Sequence, residues 1–432
     1  MLWRRTGSNL ANLNDPSGGN LTELIPVDQA LLTILDGFKP TIEEHIPLDE
    51  AYGRVLSRDI NATTDLPPFT NSSMDGFAVI SRDTIKASPA KPVNLIIDFD
   101  IPAGSYPEKG IISGHAARIM TGAPLPAGSD AVVQVESTNS PRNDPSVTFP
   151  HTIQVFSPVL PGENIRPKGM DIQKEEPVLK RSARLRPQEI SALASFGIHK
   201  VPVHRIPRIA VLSTGDELIP PEKNLAPGKI HESNSYSLVG LSKSLGCEVI
   251  NLGIVPDDKT EIKRKLDLCC DLEIDLIITS AGVSVGAFDF VKDVIKSDGK
   301  IEFWRVNMRP GKPIAFGYYK GTPLIGLAGN PVSAFVGFLV FIRPAILILS
   351  GIEKITHDVI PMTIDAPIES DGRQSYLRAN STFKNGKWVA HPATHQGSGN
   401  VLSMVNANTL LIVPPGVKSL PVNAYVDAWL LE

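Results

Sequence analysis

Cysteine is scarce: Cys247, Cys269 and Cys270 are the only three in 432 residues, and none belongs to a CxxC pair. Such a set builds neither a disulfide framework nor a thiolate metal site, which points to a reducing, cytoplasmic home. Long apolar runs are missing as well. The longest, residues 334–342, is interrupted by Arg343 and Pro344 before apolar residues resume, so it reads as a buried helix and not a membrane span. The first twenty residues carry two arginines with no apolar stretch behind them, and read as a tail instead of a signal peptide. Neither sign of charge is in excess: 42 basic against 46 acidic residues leave a net charge of −4. That removes a global pull toward nucleic acid or an anionic membrane, so any anion site must be local. Walker A, HExxH and GxGxxG patterns are absent, which removes support for P-loop, zincin and dinucleotide-fold chemistry. Heptads, low-complexity tracts and short repeats are absent too.

What is present is globular, with 42% apolar and 20% charged residues in a length that suits two to four domains. Glycine (34) and proline (37) are plentiful, which predicts many turns. Helical spacing appears at 27–38 and again at 186–196, and the two helices are expected to pack together. Between them, from about 43 to 180, lie short β-type segments (PVNLIIDF, AARIM, DAVVQVE, HTIQVF), suggesting a β-rich domain inserted between two helical pieces. From 208 to 350 strands (RIAVL, EVINLG, DLIIT, PIAFG, PLIGL) alternate with helices (NSYSLVGLSKSLG, KTEIKRKLDLCC, FVKDVIK and a long one from Pro331). Alternation of this kind predicts a mostly parallel sheet with helices on its faces. Beyond about 356 strands resume, with an Asn385-Gly386 hairpin turn, as in a small β-barrel or sandwich.

In an open α/β sheet, ligands sit at the carboxyl ends of the strands. Here those ends carry Ser213-Thr214-Gly215-Asp216-Glu217, Asp257-Asp258, a loop with Gly282, Ser284, Gly286 and Asp289, and Gly329-Asn330. Glycines admit backbone N–H groups to an anion, and Asn330 is placed to cap a helix beginning at Pro331, which suits phosphate. Carboxylates would repel that phosphate, so Glu217, Asp257 and Asp289 imply a hard cation such as Mg²⁺ between them. Downstream, Arg305, Arg309 and Lys312 form a run of three cations without a carboxylate, stiffened by Pro310, Gly311 and Pro313 as an anion clamp. Three further turns, around Asp75, Thr121 and Asp171, read as structural on spacing alone.

Taken in order, NSSMDGFAV, RIMTGAPLP, GMDI, STGDEL, SNSYSL, VPDD, SAGVSVGAFDFV, RPGKP, GNPVSAF and HQGSG resemble the molybdopterin molybdotransferase family, that of bacterial MoeA and the gephyrin E domain. The resemblance runs from about residue 22 to the end. It implies a multidomain α/β plus β homodimer. Residues 1–21 would be a disordered tail, 22–45 with 160–205 a discontinuous N-terminal domain, and 46–159 the inserted β-rich domain. Residues 206–352 would form a MogA/MoaB-like α/β molybdopterin-binding domain, and 353–432 a C-terminal β-barrel. The implied reaction inserts molybdate into adenylylated molybdopterin, with Mg²⁺-dependent cleavage of the phosphoanhydride and release of AMP. A molybdopterin adenylyltransferase and the recipient molybdoenzymes are the implied partners.

Carried over by motif, the resemblance assigns Asp75, Thr121, Asp171, Glu217, Asp257 and Asp289 to the catalytic set, with the last three toward Mg²⁺. Asp75 and Thr121 would reach from one subunit toward its partner. Ser213, Thr214, Gly215, Gly282, Ser284, Gly286, Asn330 and Ser333 would contact the substrate, and Arg305, Arg309, Lys312, Arg378 and Ser398 the molybdate. Arg305 and Arg309 replace frequent lysines, exchanging a point charge for a planar fork. Ala281 and Ala287 stand where glycine and glutamate are common. Two other readings compete: an adenylyltransferase resting on the α/β region alone, and a non-catalytic pterin-binding scaffold.

Overall fold

The computed structural model describes residues 24–140, 151–281, 293–295 and 297–431. The expected 1–21 tail, the loop residues Gly282, Ser284, Gly286 and Asp289, and most of the FVKDVIK segment lie outside these.

The centre is a six-stranded sheet in the order Glu248–Val255, Arg208–Thr214, Leu276–Ala281, Thr322–Ala328, Pro313–Tyr319, Gly299–Arg305. The first four strands run parallel, Pro313–Tyr319 runs opposite to them, and Gly299–Arg305 is antiparallel to that fifth strand. Their sequences explain the burial. In IAVLST and LIIT nearly every residue is buried, as expected for parallel strands covered on both faces. The register aligns Val255, Thr214, Ala281 and Ala328 across one edge, so the turns after these strands share a rim. The strand Gly299–Arg305 is one the sequence reading missed.

One face of this sheet is covered by the helix that starts at Pro331. It runs as α-helix Pro331–Gly337, a π-helical turn Phe338–Ile342 and α-helix Arg343–Leu349. Pro344 has no N–H to donate to the preceding turn, and the widened π turn lies directly upstream of it. By length and composition this helix, Pro331–Leu349, is apolar enough to cross a membrane, yet 83% of that window is buried inside the fold. Phe338, Phe341 and Ile342 are almost fully covered, at roughly 2 kcal/mol each for burial of a large apolar side chain.

The helix Val27–Asp36 buries Val27, Ala30 and Ile34 in this same central core. The expected packing of that helix against Pro187–Ser195 is therefore corrected, because Leu193 of the second helix belongs to a separate core with Ile46, Leu56, Leu185 and Val203. Apolar periodicity states which face is buried and not what covers it. Strand Glu43–Pro47 pairs antiparallel with Lys200–His204, and Ile60–Asn61 with Pro177–Leu179. Residues 46–62, grouped on sequence with the inserted β unit, thus pack with the returning piece instead.

The inserted unit is a five-stranded sheet ordered Ala131–Gln134, Gly76–Val79, His115–Ile119, Val93–Ile101, Thr152–Val155, with a core on each face. At the other end Gln374–Lys384, Lys387–Pro392, Ile360–Ile364, Tyr425–Leu430 and Thr409–Val413 form a closed barrel, since the first and last of these strands also pair. The expected turn is present, with Asn385 and Gly386 both at positive φ. The short strand Met308–Arg309 adds in parallel to Gln374–Ser375, tying the basic run of the central body to the barrel.

Candidate functional site

At the ends of Arg208–Thr214 and Glu248–Val255, acids gather. Gly215 sits at φ +147, and a Cβ there would lie 2.7 to 2.9 Å from the Glu217 carboxylate, so glycine is what lets Glu217 fold back over the turn. Asp216 Oδ1 accepts the Asp257 N–H at 3.2 Å. Of the two adjacent acids, Asp258 caps the helix Lys259–Asp271 by accepting the Glu261 N–H at 2.9 Å, which leaves Asp257 for other work. Burial, then the charges of Asp216 and Glu217, raise the Asp257 pKa above its ordinary 3.8. Its Oδ1 is buried without a hydrogen-bond partner.

A crowded set of carboxylates with one orphaned oxygen fits a hard cation. Among the described residues no group of three His, Cys, Asp or Glu side chains is assembled into a complete metal site. Glu217 and Asp257 are neighbours, and Asp289, the third acid expected there, lies outside the described residues. Beside them opens a cavity of about 540 Å³ lined by Gly215, Asp216, Lys229, Glu232, Ser235 and Tyr236, among others.

The hydroxyls expected to meet substrate behave unequally. Ser213 donates to the buried Glu232 at 3.0 Å, and Ser235 N–H donates to the same carboxylate at 2.7 Å. Ser213 is thus engaged within the protein, whereas Thr214 Oγ1 is buried without a partner. Asn234 was missed as a site residue, although its SNSYSL segment was noted. Its Nδ2 donates to Ser280 Oγ and to the Gly329 carbonyl, both at 2.7 Å, stapling two strand ends, and its Oδ1 has no partner.

The other end of the same rim is basic. Arg309, Lys312, Asn330, Ser333 and Ser398 line one cavity of about 340 Å³, together with Arg373 and Gln396. Asn330 occupies the position before the helix Pro331–Gly337 but makes no side-chain cap, which corrects that expectation. It reaches across instead, donating from Nδ2 to Ser398 Oγ at 2.9 Å, while Val332 N–H donates to the Ser398 carbonyl at 3.1 Å. These two bonds join the GNPVS turn to the HQGSG turn of the barrel.

Behind them lies Arg378, fully buried. Its Nε donates to Ser403 Oγ at 3.1 Å, and Nη2 donates to the carbonyls of His395 (3.1 Å) and Gly397 (3.0 Å). Nη1 has no partner, and no described carboxylate pairs with this guanidinium. Burial and the nearby Arg309 charge lower its pKa from the usual arginine value. A buried cation with an open donor is costly unless an anion completes it. Arg305 is exposed and does not line this cavity, so it stands apart from the other expected oxyanion residues.

In the inserted unit, Asp75 and Thr121 are together, the Asp75 Oδ1 accepting both the Thr121 N–H (2.7 Å) and Oγ1–H (2.8 Å). Asp171 is ion-paired to Arg166, and strand Ile165–Arg166 pairs with Asn71–Ser72, which brings the third turn beside the first. Arg373 and Asp371 were read past in sequence, because D-G-R looks like an ordinary turn.

Three family profiles cover almost all of the chain. The profile described as "MoeA N-terminal region (domain I and II)" matches residues 25–197, "Probable molybdopterin binding domain" matches 210–347, and "MoeA C-terminal region (domain IV)" matches 363–431. The chain is 36% identical over 380 residues to a molybdopterin molybdenumtransferase of Nostoc sp., covering 86% of this chain and 85% of that one. A molybdopterin molybdenumtransferase of Haemophilus influenzae is 38% identical over 329 residues, covering 76% and 78%. A solved molybdopterin biosynthesis MoeA protein from Pyrococcus horikoshii superposes with a TM-score of 0.81 at 32% identity, covering 95% of this chain and all of that one.

Proposed function

This chain belongs to the MoeA family of molybdopterin molybdenumtransferases, enzymes of molybdenum cofactor biosynthesis, and from that premise we propose that it inserts molybdate into adenylylated molybdopterin, releasing AMP. The observation that carries this reading is the meeting of Arg309, Lys312, Ser333 and Ser398 around one cavity, with the buried, incompletely bonded Arg378 behind it. Molybdate is a tetrahedral dianion, and a converging set of cations and hydroxyls is what recognises one.

The acid-lined end of the rim suits the adenylyl-phosphate end of the substrate. Glu217 and Asp257 would hold Mg²⁺ there, with Asp289 as a third candidate. A bound Mg²⁺ supplies Lewis-acid neutralisation of phosphate charge. The chain's own contribution is positional: Gly215 keeps Glu217 folded over the turn, and Asn234 fixes the strand ends against each other. On the far side, Arg309, Lys312 and the Arg378 guanidinium neutralise the oxyanion that approaches the dithiolene. In a homodimer, Asp75 and Thr121 of one subunit would face the acid-lined cavity of its partner.

The test is direct. Purified protein should release AMP from adenylyl-molybdopterin only when molybdate and Mg²⁺ are both supplied, and substrate that persists under those conditions would overturn the reading. Complementation between an Asp75→Asn subunit and a Glu217→Gln subunit in mixed dimers tests the shared site, since one intact site re-forms only if the two residues act across the interface.

A further inference from the structure

The oxyanion cavity contains cations from two regions of the chain, Arg309 and Lys312 on the 305–313 segment and Arg373 on the barrel, with Arg378 behind. One carboxylate stands among them. Asp371 Oδ2 accepts from Arg373 Nε at 3.0 Å and from Arg373 Nη2, while Asp371 Oδ1 takes the Arg373 N–H at 3.1 Å. The third face of that guanidinium, Nη1, donates to the Met308 carbonyl at 3.1 Å, one residue from Arg309. Arg309 Nη1 lies 4.0 Å from Asp371 Oδ2: an ion pair, and too long for a hydrogen bond. Arg309 is therefore drawn to the carboxylate electrostatically, and its side-chain donors make no hydrogen bond to any described residue.

We propose that Asp371 is the counter-ion that sets the strength of the oxyanion site, keeping two of its arginines partly compensated so that a tetrahedral dianion binds there and also leaves. The inference rests on the oxyanion reading above and adds a specificity-determining residue to it. Without Asp371 the three cations that line the cavity, with Arg378 behind them, would have no carboxylate beside them among the described residues, a trap for any dianion. Coulomb energy is linear in ligand charge, so the carboxylate penalises a dianion twice as much as a monoanion of the same shape. That proportion separates an electrostatic role from a merely structural one. The Arg373 contacts keep Asp371 ionised, holding its pKa below the ordinary carboxylate value.

The experiment is calorimetric titration of the full chain with sodium molybdate and with sodium perrhenate, a tetrahedral monoanion. Asp371→Asn should tighten molybdate about tenfold and perrhenate about threefold, half the effect on a logarithmic scale. Asp371→Glu, which keeps the charge, should leave both within about twofold. Asp371→Ser, which also removes the charge but is smaller, should shift both anions in the same direction and proportion as Asp371→Asn, and decides the matter if Asp371→Asn fails to fold. Unchanged constants, weaker binding of both anions, or an equal shift for both in Asp371→Asn would overturn the proposal. If the unmodified protein binds neither anion, the oxyanion reading falls and takes this one with it; binding that is indifferent to Asp371 sinks this inference alone.

Discussion

Two ends of one sheet rim can be set side by side. After Thr214 and Val255 come Asp216, Glu217 and Asp257, where burial and then the charges of the first two raise the proton affinity of Asp257, one of whose oxygens is left unbonded. After Ala328, two strands and roughly 10 Å across at the usual strand spacing, come Asn330 and Ser333 facing Arg309 and Lys312. The acids all come from one body, whereas the basic end is shared between the central body and the barrel. The difference teaches that a near-neutral chain can hold two strongly charged half-sites without a global field, provided the fold keeps them on one edge. An acid end alone would repel a phosphate and a basic end alone would hold any dianion; together they suit a substrate that brings a cation to one side and an oxyanion to the other.

The largest effect should come from Arg378→Lys, which keeps the charge and removes the fork that holds the His395 and Gly397 carbonyls. Molybdate-dependent kcat/KM should fall about a hundredfold, the scale of losing one oriented oxyanion donor. A change in Mg²⁺ requirement instead would break the division of labour. Next come mirror-image variants. Glu217→Gln should raise the Mg²⁺ concentration for half-maximal rate about tenfold with the KM for molybdate unchanged, and Lys312→Gln should do the reverse; crossed effects would mean that the two ends are a single electrostatic unit. Gly215→Ala, forcing a Cβ against the Glu217 carboxylate at φ +147, should cost about 1 kcal/mol of stability or more, read as a lower Tm by calorimetry.

The smallest effect is the pH dependence of Asp257. Its folded pKa is raised, so ionised Asp257 opposes folding; that cost is fully present above the folded pKa and vanishes as pH falls below the ordinary 3.8. Asp257→Asn should therefore raise Tm at neutral pH and leave it unchanged below about pH 3.8. Equal stabilisation at both pH values would show that packing, and not charge crowding, is responsible.

Much of this was legible in the residues. Alternating apolar strands and helices gave the central sheet, Asn385-Gly386 gave the barrel hairpin, and the strand-end rule gathered Glu217, Asp257 and Asn330 onto one edge. What escaped was pairing. The stripe on Val27–Asp36 does not name its partner, and the strand Gly299–Arg305 opens on glycine and mixes charged with apolar residues, a weak strand pattern beside the proline-bounded cations. Asn330 is a good helix cap by type, yet a nearby Ser398 from the barrel takes its amide, a contact no local rule contains. Asp371 and Arg373 look like turn chemistry until the barrel closes and sets them against Met308.

The segment from Arg305 to Pro313 is rooted at both ends in the central sheet and stitched in its middle to the barrel through Met308 and Arg309. The cavity is consequently a joint and not a bowl. The Met308–Arg309 pairing and the bonds from Asn330 and Val332 to Ser398 together fix the span across it, so the size of anion that fits is set where barrel and sheet meet. Substitutions along the seam between barrel and sheet would then retune oxyanion preference without altering any residue that touches the anion.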